Sequence, residues 1–251
     1  MFIPDLSQPG TWLVGLDDDL SRNVWMLLHL AQSGIADAAL GLEWHLAAVR
    51  DHRRPPDWED HPVEPAHDLL RRIAMAELAT DADLTWEQRR ELEDSFELAL
   101  RIERKRERWR AGHIPRDYDT RAIALHARTF IFALDSVAKA LQVLVTMPDL
   151  PDEIASVKRD WDIAFPHLKG VRDTAHHHED RARGLDRRGQ PIDGSIHLDG
   201  MYGGEYSATM NDGSLGQVEV SVASLKTATA LVQRVIDAFE WHGSPLHWPL
   251  D

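Results

Sequence analysis

Between residues 117 and 146 the apolar side chains Ile123, Ala127, Phe130, Leu134, Val137, Leu141 and Leu144 follow one another in steps of four and three. A helix turning once every 3.6 residues returns such positions to one side, so this segment must bury a continuous stripe against other elements. Ile131, Phe132, Val143 and Val145 widen the stripe, which predicts that this helix is central. The same spacing in Val24, Leu28, Ala31, Ile35, Ala38, Leu42, His45 and Val49 predicts a helix over 21–52. His45 falls within that stripe as a core or cleft histidine, and Gly34 and Gly41 weaken the helix slightly while permitting close packing with a neighbour.

The remaining elements follow from local signals. Leu69, Ile73 and Ala76 suggest a short helix. Thr85, three residues before Gln88, resembles a capping box that opens a helix over 84–110. A further helix is predicted over 152–182, kinked or broken in two by Pro166, which removes a backbone donor. After Gly184 the pattern changes to period two, with turn residues at Gly203-Gly204 and Asn211-Asp212-Gly213. A meander over 194–222 is expected, then a closing helix over 224–242 capped by Ser224, with residues 1–20 as an irregular arm. The fold expected is mainly α: a helical bundle over 21–182 with a small three-stranded antiparallel β meander before the C-terminal helix, all in a single domain over 1–251. Three short strands bury too little to stand alone.

Composition removes several function classes. The chain has no cysteine, so thiolate catalysis, disulfides and cysteine-bound zinc are excluded, and nothing argues for export. No uninterrupted apolar run approaches the roughly 20 residues that span a bilayer, and no signal-peptide pattern opens the chain. A cytoplasmic protein without a membrane partner is expected. A net charge of −14 opposes broad, non-specific binding of nucleic acid. Two arginine clusters, from Arg101 to Arg110 and at Arg181, Arg183, Arg187 and Arg188, read first as solvated charged faces.

The stretch from Leu168 to Arg181 concentrates the groups able to bind phosphate, move protons or ligate a metal. On one helix, Arg172 would share a side with His176 and Glu179, while Asp173, His177, Asp180 and Arg181 would form the adjacent side. Three readings compete. In the first, Arg172 binds a phosphate through its planar donors and His177 or His178 moves protons, with Asp173 orienting the imidazole. One copy is too sparse to cleave RNA this way, and two copies across a symmetric dimer would supply the groups. In the second, Asp173, His177 and Asp180, or His176 with Asp180, hold a divalent metal, with His45 and His126 as candidates for the missing ligands. In the third, Arg172, Asp173, Glu179 and Arg181 form local ion pairs in a structural or partner-binding protein.

At these residues the sequence resembles the HEPN superfamily of helical bundles, whose signature is an Arg, a polar residue most often Asn, a few further residues and a His. Arg172-Asp173 followed by His177 has the usual four intervening residues, and His178 fits the five-residue version. The resemblance implies a four-helix bundle core, homodimerisation, and RNA cleavage or nucleotide binding with Arg172 and His177 in a shared cleft, without a metal or other cofactor. A toxin or defence component with an antitoxin-like protein partner is one role it implies, and a non-catalytic binding role is another.

Overall fold

The computed structural model describes residues 2–52, 72–73, 75–76, 84–186 and 188–249. The chain forms two compact units, one of Met1–Arg50 with Arg121–Asp251 and one of Asp51–Thr120. The helices are α1 (Asp18–His52), α2 (Trp86–Arg110), α3 (Arg116–Thr146), α4 (Asp152–Ala164), α5 (Leu168–His176), α6 (His178–Ala182) and α7 (Val222–Asp237). The strands are β1 (Leu6–Gln8), β2 (Trp12–Leu13), β3 (Gly200–Tyr202), β4 (Glu205–Thr209), β5 (Leu215–Glu219), β6 (Trp241–His242) and β7 (Leu246–Trp248). The protein is therefore mainly α, with the three-stranded antiparallel meander β3-β4-β5 ahead of the last helix, as the sequence predicts.

The larger unit is built on the apolar stripe of α3. Ala127, Phe130, Leu134, Val137, Leu141 and Leu144 are all buried, and they share one core with Val24 to Leu42 of α1, Ile154 and Trp161 of α4 and Leu225 to Ile236 of α7. Although α3 is long and apolar enough to cross a membrane by composition, half of its most apolar window is buried inside the protein. Helices α1 and α3 approach unusually closely at Gly34 and Gly41. A Cβ on Gly41 would lie 2.9 Å from the Phe130 nitrogen, and one on Gly34 would lie 2.6 Å from Val137 Cγ2. The two glycines that weaken α1 as a helix are thus the ones that let it seat against α3. Against α4, α7 is fixed by Arg234, which bonds Glu153 Oε1 at 2.6 Å and Asp160 Oδ2 at 2.7 Å.

In the smaller unit, α2 opens with the expected capping box, in which Gln88 N–H donates to Thr85 Oγ1 and Thr85 N–H to Gln88 Oε1. Leu100 is its buried residue. Of the short helix expected at Leu69–Ala76, residues 72, 73, 75 and 76 are helical and the rest lies outside the described residues.

Several sequence expectations need correction. The arm is not irregular, since β1 pairs antiparallel with β7 and β2 with β6, and the Gln233 side-chain amide clamps Ser7, with Oε1 accepting from Ser7 N–H and Nε2 donating to Ser7 O. Pairs this far apart in sequence leave no periodic signal in either two- or three-residue strand. The closing helix is capped by Ser221, whose hydroxyl accepts from Ser224 N–H, so Ser224 is inside the first turn. The first meander strand is Gly200–Tyr202, so the meander starts later than the expected 194. Finally, the segment 152–182 breaks twice, near Pro166 and again at His177, where φ −119° and ψ 48° leave the helix.

Candidate functional site

The second break decides the site. Arg172, Asp173 and His176 belong to α5, whereas His178, Glu179, Asp180 and Arg181 belong to α6, so they do not share the two faces of one helix. Arg181 explains the turn. Expected as a surface cation, it is fully buried, and it donates to Leu185 O at 2.5 Å, Asn211 Oδ1 at 2.5 Å and Thr174 Oγ1 at 3.3 Å. A guanidinium inside the protein must satisfy its donors, and reaching these acceptors turns α6 away from the line of α5. Helix α5 is held on the meander beneath it, with Thr174 Oγ1 donating to Thr209 O at 2.6 Å. A Cβ at Gly170 would meet Met210 Sδ at 2.5 Å, so a side chain there requires Met210 of the meander to shift.

The result is two neighbouring polar clusters. In the first, Arg172 is 15 % exposed and faces two carboxylates, with NH1 2.8 Å from Asp173 Oδ1 and Nε 3.0 Å from Asp135 Oδ2. The Nε contact is close enough for an ion pair but off-axis for a hydrogen bond. Lys139 Nζ reaches the same Asp135 oxygen at 2.8 Å. Asp135 thus carries two cations.

In the second cluster Asp199, in the loop before β3, accepts from Arg128 NH2 at 2.5 Å and from the Tyr206 hydroxyl through Oδ2. Its other oxygen lies 3.4 Å from His178 Nε2, again a charge contact without an aligned hydrogen bond. Burial opposes the Asp199 carboxylate, but the bonds from Tyr206 and Arg128 outweigh it and hold the group below the ordinary carboxylate range. Burial, and the bond to Asp199, push the Tyr206 hydroxyl well above its usual value.

The predicted residues are therefore divided. Arg172 and Asp173 meet, and His178 meets Asp199. His177, nearly half exposed, points its Nδ1 towards Glu179 Oε1 at 3.9 Å. The ring of His176 packs against Phe132 of α3 with centroids 5.2 Å apart. Of the four candidate metal ligands, His177 and Asp180 come together, and with Glu179 they place ligand atoms within 4.8 Å of one another. Asp180 is also bonded to Arg183 at 2.5 Å, while Asp173 is committed to Arg172. His45 is buried, with Nδ1 3.0 Å from Ile123 O, and His126 titrates below the ordinary histidine range because of burial first and His45 second.

Sequence reasoning missed Arg128, Asp135, Lys139, Asp199 and Tyr206. A signal existed for three of them, since Arg128, Asp135 and Lys139 are the charges set into the apolar part of α3 that follows its charged first turns, at positions that four- and three-residue steps connect through Phe132. Nothing in the sequence ties Asp199 to them. Comparison of the chain with family models, with curated proteins and with solved structures gives no match.

Proposed function

We propose that this chain is a HEPN-like protein that cleaves RNA or binds a nucleotide as a homodimer, with His178 and not His177 as the residue that moves the proton. One observation carries this reading: His178 faces Asp199, and Arg128 lies on the same carboxylate. A carboxylate on one ring nitrogen orients an imidazole and leaves the other nitrogen to act, and the adjacent guanidinium supplies a cation for a phosphate. Apo contacts of this kind commonly tighten when substrate binds. Arg172 follows the five-residue spacing to His178. Two of its three nitrogens face Asp135 and Asp173, so a phosphate has to share it with them.

The test is RNA cleavage with a chelator present. Wild type should cut, His177→Ala should retain activity, and Arg172→Ala and His178→Ala should each lose about a hundredfold or more, the usual range for general acid–base groups. Intact RNA with wild type refutes the catalytic claim, and equal activity in His178→Ala refutes the assignment. A metal reading rests on the clustering of His177, Glu179 and Asp180. Stoichiometric zinc, manganese or iron in purified protein, lost on His177→Ala, would replace the nuclease reading.

A further inference from the structure

Helix α2 carries its charge unevenly. Between Arg101 and Arg110 stand six cations and two carboxylates, in a chain of net charge −14. Burial sorts them by face. Leu100, Glu103, Arg104 and Glu107 turn inward, buried or half-buried, whereas Arg101, Ile102, Lys105, Arg108 and Trp109 are exposed on the outer face. From Leu98 onward the outer face therefore holds three cations and no carboxylate, because both glutamates lie on the opposite side. Among the described residues Arg101, Lys105 and Arg108 have no ion-pair partner. Glu97, one turn before Arg101, has its Oε1 3.7 Å from Arg72 Nε. Leu98, Ile102 and Trp109 are exposed apolar groups beside the cations.

Helix energetics do not account for this stripe. The negative end of the helix dipole favours cations in the last turn, which covers Arg108 and Arg110. Arg101 and Lys105 lie farther back. Positions 101, 105 and 108 are successive neighbours on the helix surface, and like charges at these spacings destabilise it. A bound polyanion removes that repulsion.

We propose that the outer face of α2 binds single-stranded RNA, with Arg101, Lys105 and Arg108 holding phosphates and Trp109 stacking a base. The choice of RNA as the polyanion rests on the function proposed above. Single strands are bound where a cationic track follows the backbone and an aromatic ring offers a stacking surface. Here the three cations span about 10 Å of helix axis, and Trp109 stands one position after the last of them. In a chain whose net charge repels RNA, a local track of this kind supplies the attraction that the whole molecule lacks. A lipid surface fits less well. The line Leu98, Ile102, Lys105, Trp109 steps by four, three and four residues, so an ammonium sits inside the apolar row. Seating that row in hydrocarbon would carry the charge with it, whereas an RNA strand takes the ring and the ammonium together.

The test is fluorescence anisotropy with a labelled single-stranded 2′-O-methyl oligonucleotide, which cannot be cleaved through its 2′-hydroxyl, in the presence of a chelator. Wild type should bind it with an affinity that falls as salt rises. Arg101→Gln, Lys105→Gln and Arg108→Gln combined should weaken binding at least about tenfold and lower the slope of log affinity against log salt by about 2, since each phosphate contact on a single strand contributes about 0.7. Trp109→Ala should weaken binding about tenfold with the slope unchanged. The substituted positions are exposed and glutamine is a good helix former, so the triple variant keeps its fold, which circular dichroism checks. A control triple, Arg22→Gln, Arg159→Gln and Lys226→Gln, removes the same charge from exposed positions outside α2 and should leave the slope as in wild type. An equal loss in the control overturns the location. Duplex RNA bound as tightly as the single strand overturns the stacking role of Trp109. A wild type that does not bind the oligonucleotide overturns the proposal, and binding to phosphatidylserine vesicles in its place gives the face to a membrane. RNA cleavage by the triple variant with the kcat/KM of wild type would sink this inference and leave the nuclease reading standing. Oligonucleotide binding that the triple variant loses, with RNA left intact by wild type, would do the reverse.

Discussion

Gly41→Ala sets two physical effects against each other on α1, and the structure says which wins. Alanine is the better helix former by about 1 kcal/mol, so on an exposed surface the substitution would stabilise. Here the new Cβ sits 2.9 Å from Phe130 N, with Phe130 Cα and Thr129 C both at 3.3 Å. Relaxed contacts need about 3.5–4.0 Å, so α1 and α3 must separate by roughly half an ångström. These are backbone atoms of a helix whose neighbouring side chains Ala127, Phe130, Ile131 and Leu134 are fully buried, and no rotamer change relieves them. Overpacking of this kind costs about 1–3 kcal/mol, and taking the upper half of that range leaves a net loss of about 1–2 kcal/mol. Urea unfolding followed by tryptophan fluorescence measures it, with Ala36→Gly, at an exposed position of the same helix, reporting the propensity effect alone. Gly34→Ala is expected to differ in kind, because its closest clash is with the side-chain tip Val137 Cγ2 at 2.6 Å. Adding Val137→Ala should therefore recover part of the loss, whereas no side-chain truncation rescues Gly41→Ala. A Gly41→Ala protein as stable as wild type would refute the close approach of the two helices.

Three further outcomes follow. Because the Asp199 carboxyl is held below its ordinary value, the stability it contributes is present above about pH 4 and is lost as pH falls through its folded value, so the urea midpoint of wild type should fall more steeply between about pH 4 and 2 than that of Asp199→Asn; parallel profiles would show that the cluster is not formed. Arg181→Ala should cost about 3 kcal/mol, since it strips donors from Leu185 O, Asn211 and Thr174, and Arg181→Lys should not restore it because one ammonium cannot span them; a loss under about 0.5 kcal/mol would contradict this. Tyr206→Phe should weaken RNA cleavage less than His178→Ala does, as it removes one of the bonds to Asp199 and leaves Arg128 in place; an equal loss would move the proton-transfer role towards Tyr206.

What was legible in the sequence is what repetition encodes. From Ala127 to Leu144 the four-three stripe names buried residues of α3, although Ile123 is only half-buried and Val143 and Val145 face outward, and the Thr85–Gln88 pair names the start of α2, because both are relations between positions a few residues apart. The pairing of β1 with β7 joins residues more than two hundred positions apart through strands of three residues, and no local pattern announces it. The break at His177 was invisible for a related reason. Nothing around His176-His177-His178 forbids helix, and the turn follows from Arg181 reaching Asn211, a residue thirty positions on in the meander. Local propensity was overruled by a buried cation finding its acceptors.

That one turn changes the chemistry the motif can perform. With a continuous helix, His177 would stand one turn from Asp173, and the four-residue spacing from Arg172 would give the proton-moving residue. With the turn, Asp173 is occupied by Arg172, His177 faces solvent and Glu179, and the next histidine meets a carboxylate from outside the helix altogether. The same acid excess that gives the chain its negative charge appears at each cation of the site: Asp135 and Asp173 on Arg172, Asp199 on Arg128. An anionic ligand must displace or share a carboxylate, so binding is selective for groups that offer more charge and more acceptors than a carboxylate does. A phosphate offers both, and it is stabilised further where the cation it takes is also relieved of a competing partner. Lys139, on the same Asp135 oxygen that Arg172 faces, is the cation that already competes for that carboxylate.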